Sequence, residues 1–229
     1  MRKLSIHPSH RAEIFAWIYL AIQQTALSHL IQWLNSMMPN PLGLAGLNFL
    51  IFALNFICTA LIFVRFLWHH AAKFILRPGY YLLAALSGFG MYMLLNHALS
   101  VTILMAWPDF ANVNNAAIST IFDGHFFLMA VGTVILVPLA EELLFRGLIF
   151  RALYRKNSVL GYVISILVFS AIHVLSYIGR YDPLVLIICF IQYIPGALIL
   201  SESYARTDCI FVPVLIHMTL NFFATISMR

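Results

Sequence analysis

Seven long apolar stretches are separated along this chain by short polar or proline-bearing breaks. They run roughly from Ile14 to Leu34, Leu44 to Trp68, Tyr81 to Ala106, Phe126 to Leu153, Leu160 to Ile178, Leu184 to Leu200 and Ile210 to Ile226. A helix needs about 20 mostly apolar residues to cross a bilayer. The pattern therefore predicts an all-α fold, a polytopic transmembrane helix bundle of about seven spans, within a range of six to eight. The breaks read as turns. Pro39 to Gly43 holds two prolines and a glycine, Pro108 to Asn115 holds three asparagines and an aspartate, and Tyr181, Asp182 and Pro183 make a tight return. No internal repeat or change of composition marks a second domain, so residues 1–229 read as a single membrane domain.

Composition supports the bilayer as solvent. Hydrophobic residues make up 62% of the 229 and charged residues only 9%, with a mean hydropathy of +0.93. A soluble domain carries about 25% charged residues. The three cysteines, Cys58, Cys189 and Cys209, lack metal or redox spacing and read as small buried side chains. The net charge of +5 would raise nucleic acid as a partner for a soluble protein. Here the bases sit in short loops and no nucleic-acid motif is present.

Those loops set an orientation. Arg2, Lys3 and Arg11 precede the first span; Arg65, Lys73 and Arg77 follow the second; Arg151, Arg155 and Lys156 follow the fourth. The connection after the first span is uncharged, and the one after the third has only Asp109 and Asp123. The positive-inside rule then predicts a multi-pass protein of the cell membrane with a cytoplasmic N-terminus. Residues Met1 to Arg11 resemble the start of a signal peptide, but no small-residue cleavage site follows, so the first span reads as retained.

Ionisable groups inside a membrane are expensive and mark function. The fourth span contains Pro138-Leu-Ala-Glu141-Glu142-Leu-Leu-Phe-Arg146. Glu142 and Arg146 stand four apart, share a helix face and can neutralise each other as a supporting ion pair. Glu141 points about 100° away and has Phe145 at the matching position, so it lacks a local partner. The fifth span offers Phe169-Ser-Ala-Ile-His173, and the seventh His217-Met-Thr-Leu-Asn221. At about 1.5 Å per residue, Glu141, His173 and His217 lie roughly 12–20 Å from the cytoplasmic ends of their spans. They are thus expected to meet in one layer, facing a water-accessible cavity open toward the cytoplasmic half.

A carboxylate beside imidazoles suits activation of water. A second histidine with an asparagine amide can hold an oxyanion. The residues name no cofactor with certainty, although Glu141, His173 and His217 could also ligate zinc with water in the open position. The helical HExxH motif and the GxSxG motif are both absent.

At these residues the chain resembles the CPBP family, the CAAX proteases and bacteriocin-processing enzymes also called Abi. EExxxR, FxxxH and HxxxN occur in order as Glu141-Glu142-Leu-Leu-Phe-Arg146, Phe169-Ser-Ala-Ile-His173 and His217-Met-Thr-Leu-Asn221. The resemblance implies an all-helical intramembrane endopeptidase with a catalytic core over residues 125–227. It implies that Glu141 and His173 activate water, that His217 and Asn221 stabilise the oxyanion, and that Arg146 holds Glu142. The substrate implied is a membrane-associated protein or peptide in the lipid bilayer, not specifically a prenylated one. The competing readings are a non-proteolytic protein of the same fold, such as a bacteriocin-immunity factor or scaffold, and a small transporter. A transporter would show a repeated pair of broken helices, which the sequence lacks.

Overall fold

Inside a bilayer every backbone N–H and C=O must be paired within the protein, which leaves helices or closed barrels. The computed structural model describes residues 4–122 and 124–227, and it takes the helical solution, with no strand among the described residues. The helices are α1 (His10–Ser36), α2 (Leu44–Ile62), α3 (Val64–Leu76), α4 (Pro78–Ala106), α5 (Val113–Phe122), α6 (Phe126–Tyr154), α7 (Ser158–Leu175), α8 (Pro183–Thr207) and α9 (Phe211–Ser227). Six of them, α1, α2, α4, α6, α7 and α8, are long and apolar enough to cross a membrane, and α9 is a shorter apolar helix. This is a multi-pass helical membrane protein, as the apolar pattern predicts.

Two elements differ from that pattern. The second apolar stretch does not run on to Trp68. It ends at Ile62, the helix breaks at Phe63, and α3 begins anew. The cause is the charge pattern: Arg65, His69, His70 and Lys73 would strand polar groups in hydrocarbon if the span continued. Instead α3 buries Phe66 and His70 and leaves Trp68 exposed. The stretch after Pro108 is also more than a turn, because α5 follows it. Asn112 opens α5 by accepting hydrogen bonds from the N–H groups of Asn114 (3.0 Å) and Asn115 (3.2 Å).

The centre of the bundle is α6. Its apolar window is 44% buried, against 0% for α4, so α6 is the core helix and α4 a lipid-facing one. Around α6 stand α1, α2, α7, α8 and α9, while α4 lies outside against α8 and α9. All of Leu143 to Phe150 is buried, and most of α6 is surrounded by protein. The outer surface is apolar, with Leu61, Leu94 and Phe127 exposed, as lipid requires.

The basic loops gather at one end. Asp208, in the left-handed turn between α8 and α9 (φ 49°), accepts from Lys73 Nζ at 2.7 Å and from the Ser5 N–H at 3.0 Å. Arg151 donates to the Ile6 carbonyl at 3.1 Å and to Glu13 at 3.0 Å. The start of α1, the ends of α3 and α6 and the α8–α9 turn therefore share this end, as alternating spans demand. Of the residues used for orientation, Arg2, Lys3 and Asp123 lie outside the described residues.

His70 is packed into the same end. Its Nδ1 accepts the Ile210 N–H at 3.3 Å, and the ring lies against Phe66. Burial pushes the imidazole down to about 3, Asp208 opposing and Lys73 and His69 assisting. The unfolded chain thus binds a proton that the folded chain refuses between pH 6.5 and about 3. Stability should fall as pH drops through this window, and His70→Phe should flatten that part of the profile in thermal melts of the detergent-solubilised chain. A profile unchanged by the substitution contradicts the assignment.

Candidate active site

Helix α6 carries the site because its backbone departs from regular winding twice. It is π-wound over Gly132–Leu136 and again over Leu143–Phe150, on either side of the two carboxylates. Such wider turns concentrate at functional sites. The first has a traceable consequence. In a π turn each carbonyl accepts from the N–H five residues on, and Val137 N–H accordingly donates to Gly132 O. The next pair would be Thr133 O and residue 138, but Pro138 has no N–H. Thr133 O is taken instead by the Asn221 side-chain amide of α9, at 2.8 Å. A proline in one helix thereby positions an asparagine in another.

Glu142 and Arg146 form the ion pair expected from their spacing. Arg146 Nη1 donates to Glu142 Oε1 at 2.9 Å, and both side chains are wholly buried. Arg146 Nη2 also donates to the Ala197 carbonyl of α8 at 3.2 Å, and the guanidinium lies 4.4 Å from the centre of the Phe169 ring. Glu142 does more than neutralise an arginine. Its Oε1 lies 2.8 Å from His217 Nδ1. An ionised carboxylate can only accept, so Nδ1 carries the proton and donates. That directs Nε2 toward Glu141, whose Oε2 lies 3.8 Å away. His217 thus stands between the adjacent carboxylates, a link the helical spacing alone does not reveal.

His173 is held in the same manner. Its Nδ1 donates to the Phe169 carbonyl one turn back, at 2.8 Å. The ring stacks on Tyr193, with centroids 4.2 Å apart and planes at 25°. Phe169 is therefore a floor under Arg146 and the anchor for His173 at once.

Glu141, His173, His217 and Asn221 line one cavity of about 290 Å³. Another, of about 260 Å³, adjoins it and shares His173, Tyr193, His217 and Asn221. Both extend toward Asn112–Asn115, and the smaller also reaches the far half of α4, at Asn96 and Ser100, away from the Lys73–Asp208 end. The expectation put the cavity in the same half as the basic loops, and it lies in the other half of the bundle. The physical reason lies in α7, where His173 falls within the last turn at the end distant from the basic loop.

The sequence reading took Asn112, Asn114 and Asn115 as turn formers and passed over Gln192 and Tyr193. The structure brings them to the cavity: Asn112 donates to Gln192 at 2.8 Å, Asn114 donates to the Tyr193 hydroxyl at 3.0 Å, and the Tyr177 hydroxyl donates to Asn114 at 3.2 Å. The legible signal was Gln192, an amide inside an apolar span. Among the described residues no group of three His, Cys, Asp or Glu side chains is arranged to hold a metal ion. Glu141, His173 and His217 do not fit zinc as they stand.

Pro138→Ala is expected to restore a donor for Thr133 O and to release Asn221. The chain should stay folded, since alanine favours a helix more than proline does. Hydrogen exchange at the Asn221 side-chain amide, followed by NMR, should quicken about tenfold or more once its 2.8 Å bond is lost. Unchanged exchange would show that Pro138 does not position Asn221.

Residues 123–223 match the family described as "Type II CAAX prenyl endopeptidase Rce1-like". The chain is also 33% identical over 101 residues to the protein named "Putative membrane peptidase YdiL" of Bacillus subtilis (strain 168). That alignment covers 43% of this chain and 36% of the relative, so the chain spans about a third of the length of the curated relative it matches. No solved structure matches the chain. The matched segment holds Glu141, Glu142, Arg146, His173, His217 and Asn221, and over residues 123–223 the resemblance to the CPBP family of membrane proteases is shown.

Proposed function

We propose that the chain is an intramembrane endopeptidase that hydrolyses a peptide bond of a membrane-associated protein or peptide in the cell membrane, with residues 125–227 as its catalytic core and its N-terminus in the cytoplasm. The observation that carries this reading is the pairing of Glu141, whose buried Oε2 has no hydrogen-bond partner in the protein, with an imidazole locked by Glu142. A partly buried carboxylate kept beside two oriented imidazoles serves chemistry better than packing.

In this mechanism Glu141, assisted by His173, takes one proton from a water molecule. The water oxygen bonds to the carbonyl carbon, and the carbonyl electron pair moves onto oxygen. His217, protonated also at Nε2, and the second N–H of the Asn221 amide donate to that oxyanion. The C–N bond then breaks, the oxyanion re-forms the carbonyl, and Glu141 returns its proton to the leaving nitrogen. One water is consumed, and a carboxyl and an amine terminus result. Glu142 and Arg146 keep His217 facing the reacting carbon.

Glu141→Gln is expected to fold normally and to lose at least about a hundredfold in rate, the usual contribution of a general base. Comparing membrane proteomes of cells carrying wild-type or Glu141→Gln chain checks this, because uncut substrate should accumulate with the variant. Full cleavage by Glu141→Gln would sink the mechanism. Glu142→Gln should instead lower stability by roughly 3 kcal/mol, since it leaves Arg146 buried without its countercharge. A Glu142→Gln chain that melts with wild type removes the structural half of that role.

A further inference from the structure

The two cavity lobes differ from the hydrocarbon around them in a specific way. The first is lined by Tyr92, Asn96, Ser100, Asn115, Gln192 and Asn221, and it contains no Asp, Glu, Lys or Arg. The second has Glu141 as its one charged residue. Its remaining wall is divided, with Asn114, Asn115 and Thr133 on the polar side and Phe52, Ile118, Val137 and Ile172 on the apolar side. Both lobes meet at His173, His217 and Asn221, so a ligand lying through both passes over the catalytic residues.

The amides are mounted rather than loose. Asn112 is bonded to Gln192, Asn114 to Tyr193 and Asn221 to Thr133, and these contacts tie the start of α5 to α8 and α9 to α6. They fix one hydrogen-bonding edge of several side chains and leave others for a ligand. A side-chain amide presents both a donor and an acceptor, which is the pattern of a peptide unit. An isoprenoid chain offers neither. Filled by one, the first lobe would hold amides at membrane depth with nothing to bond. Sites built to hydrogen-bond a ligand reject an analogue lacking the matching groups by about 10⁴-fold or more. Charged side chains fare no better, because the first lobe offers them no countercharge.

We propose that the two-lobed cavity takes an unlipidated, uncharged stretch of polypeptide in extended form, held through its main-chain N–H and C=O groups. An apolar residue of that stretch lies on the Glu141 side of the cleaved bond, against Phe52, Ile118 and Ile172. Its polar side lies in the lobe formed by Asn96, Ser100 and Gln192. This rests on the endopeptidase reading and names the substrate class for it.

The test uses the full chain in lipid nanodiscs and quenched-fluorescent peptides randomised over Gly, Ala, Ser, Asn, Gln and Leu. A matched set carries an S-farnesyl group on a C-terminal CAAX cysteine. The expected result is cleavage of the unmodified set, no gain from farnesyl, and loss of cleavage in Glu141→Gln. Asn96→Leu should lower kcat/KM on the unmodified set about tenfold or more by removing a bonding edge. Mass spectrometry of the products should place Leu on one side of the cleaved bond. If only farnesylated peptides are cut, and Glu141→Gln abolishes that, the endopeptidase reading stands and the substrate inference is overturned. Cutting that is indifferent to Asn96→Leu and to sequence also overturns it. If wild type cuts neither set, both readings fall together.

Discussion

The Glu142–Arg146 pair is the constraint on which the rest of the site depends. Two full charges with no exposure to water are tolerable only when each meets the other and further hydrogen bonds offset their burial, and here Glu142 Oε2 and Arg146 Nε still find no partner in the protein. Those further needs recruit the neighbours. Arg146 reaches across to Ala197 O and lies over Phe169, while Glu142 takes the proton of His217 Nδ1. One helical ion pair thus ties α6 to α7 and α9, which carry the other candidate catalytic residues, and to α8, whose Tyr193 stacks on His173. Neutralisation and orientation are the same set of contacts.

The adjacent carboxylates divide their work by environment. Glu142 is wholly buried and saturated on one oxygen by arginine and imidazole. Glu141, one position earlier, projects into the cavity and retains partial exposure, 19% for its side chain. Identical chemistry next door in sequence therefore meets a fixed countercharge in one case and open space in the other. The separation arises from the helix rotation of about 100° per residue, with no difference of residue type.

Much of this was legible before any coordinates. Apolar length gave the spans, because a bilayer imposes a length on every crossing segment. The i to i+4 spacing of Glu142 and Arg146 gave their bond, because it is local. What escaped is non-local. No spacing within α9 reveals that His217 bonds Glu142, or that Thr133 O is the partner of Asn221. The break at Phe63 escaped for another reason. Its flanks are as apolar as a continuing span, and only the charges beyond it decide the outcome. The Asn112–Asn115 segment was read as a turn because asparagine suits turns, and its side chains do cap α5. Turn chemistry and cavity lining are served by the same residues, so the first masked the second.

The cluster at the basic end bears on the order in which the molecule can be assembled. Ser5 and Asp208 are 203 positions apart, yet they share hydrogen bonds, and Lys73 joins them from α3. Contacts between such distant positions close late, because the intervening chain must first be placed. The segment around Ser5 is synthesised before the spans that follow it and must wait for the α8–α9 turn before its partner exists. Until then Lys73 has no Asp208 to face. Closure of this end can therefore register that the later helices have arrived, so a chain cut short before the α8–α9 turn would remain open where a completed one is fastened.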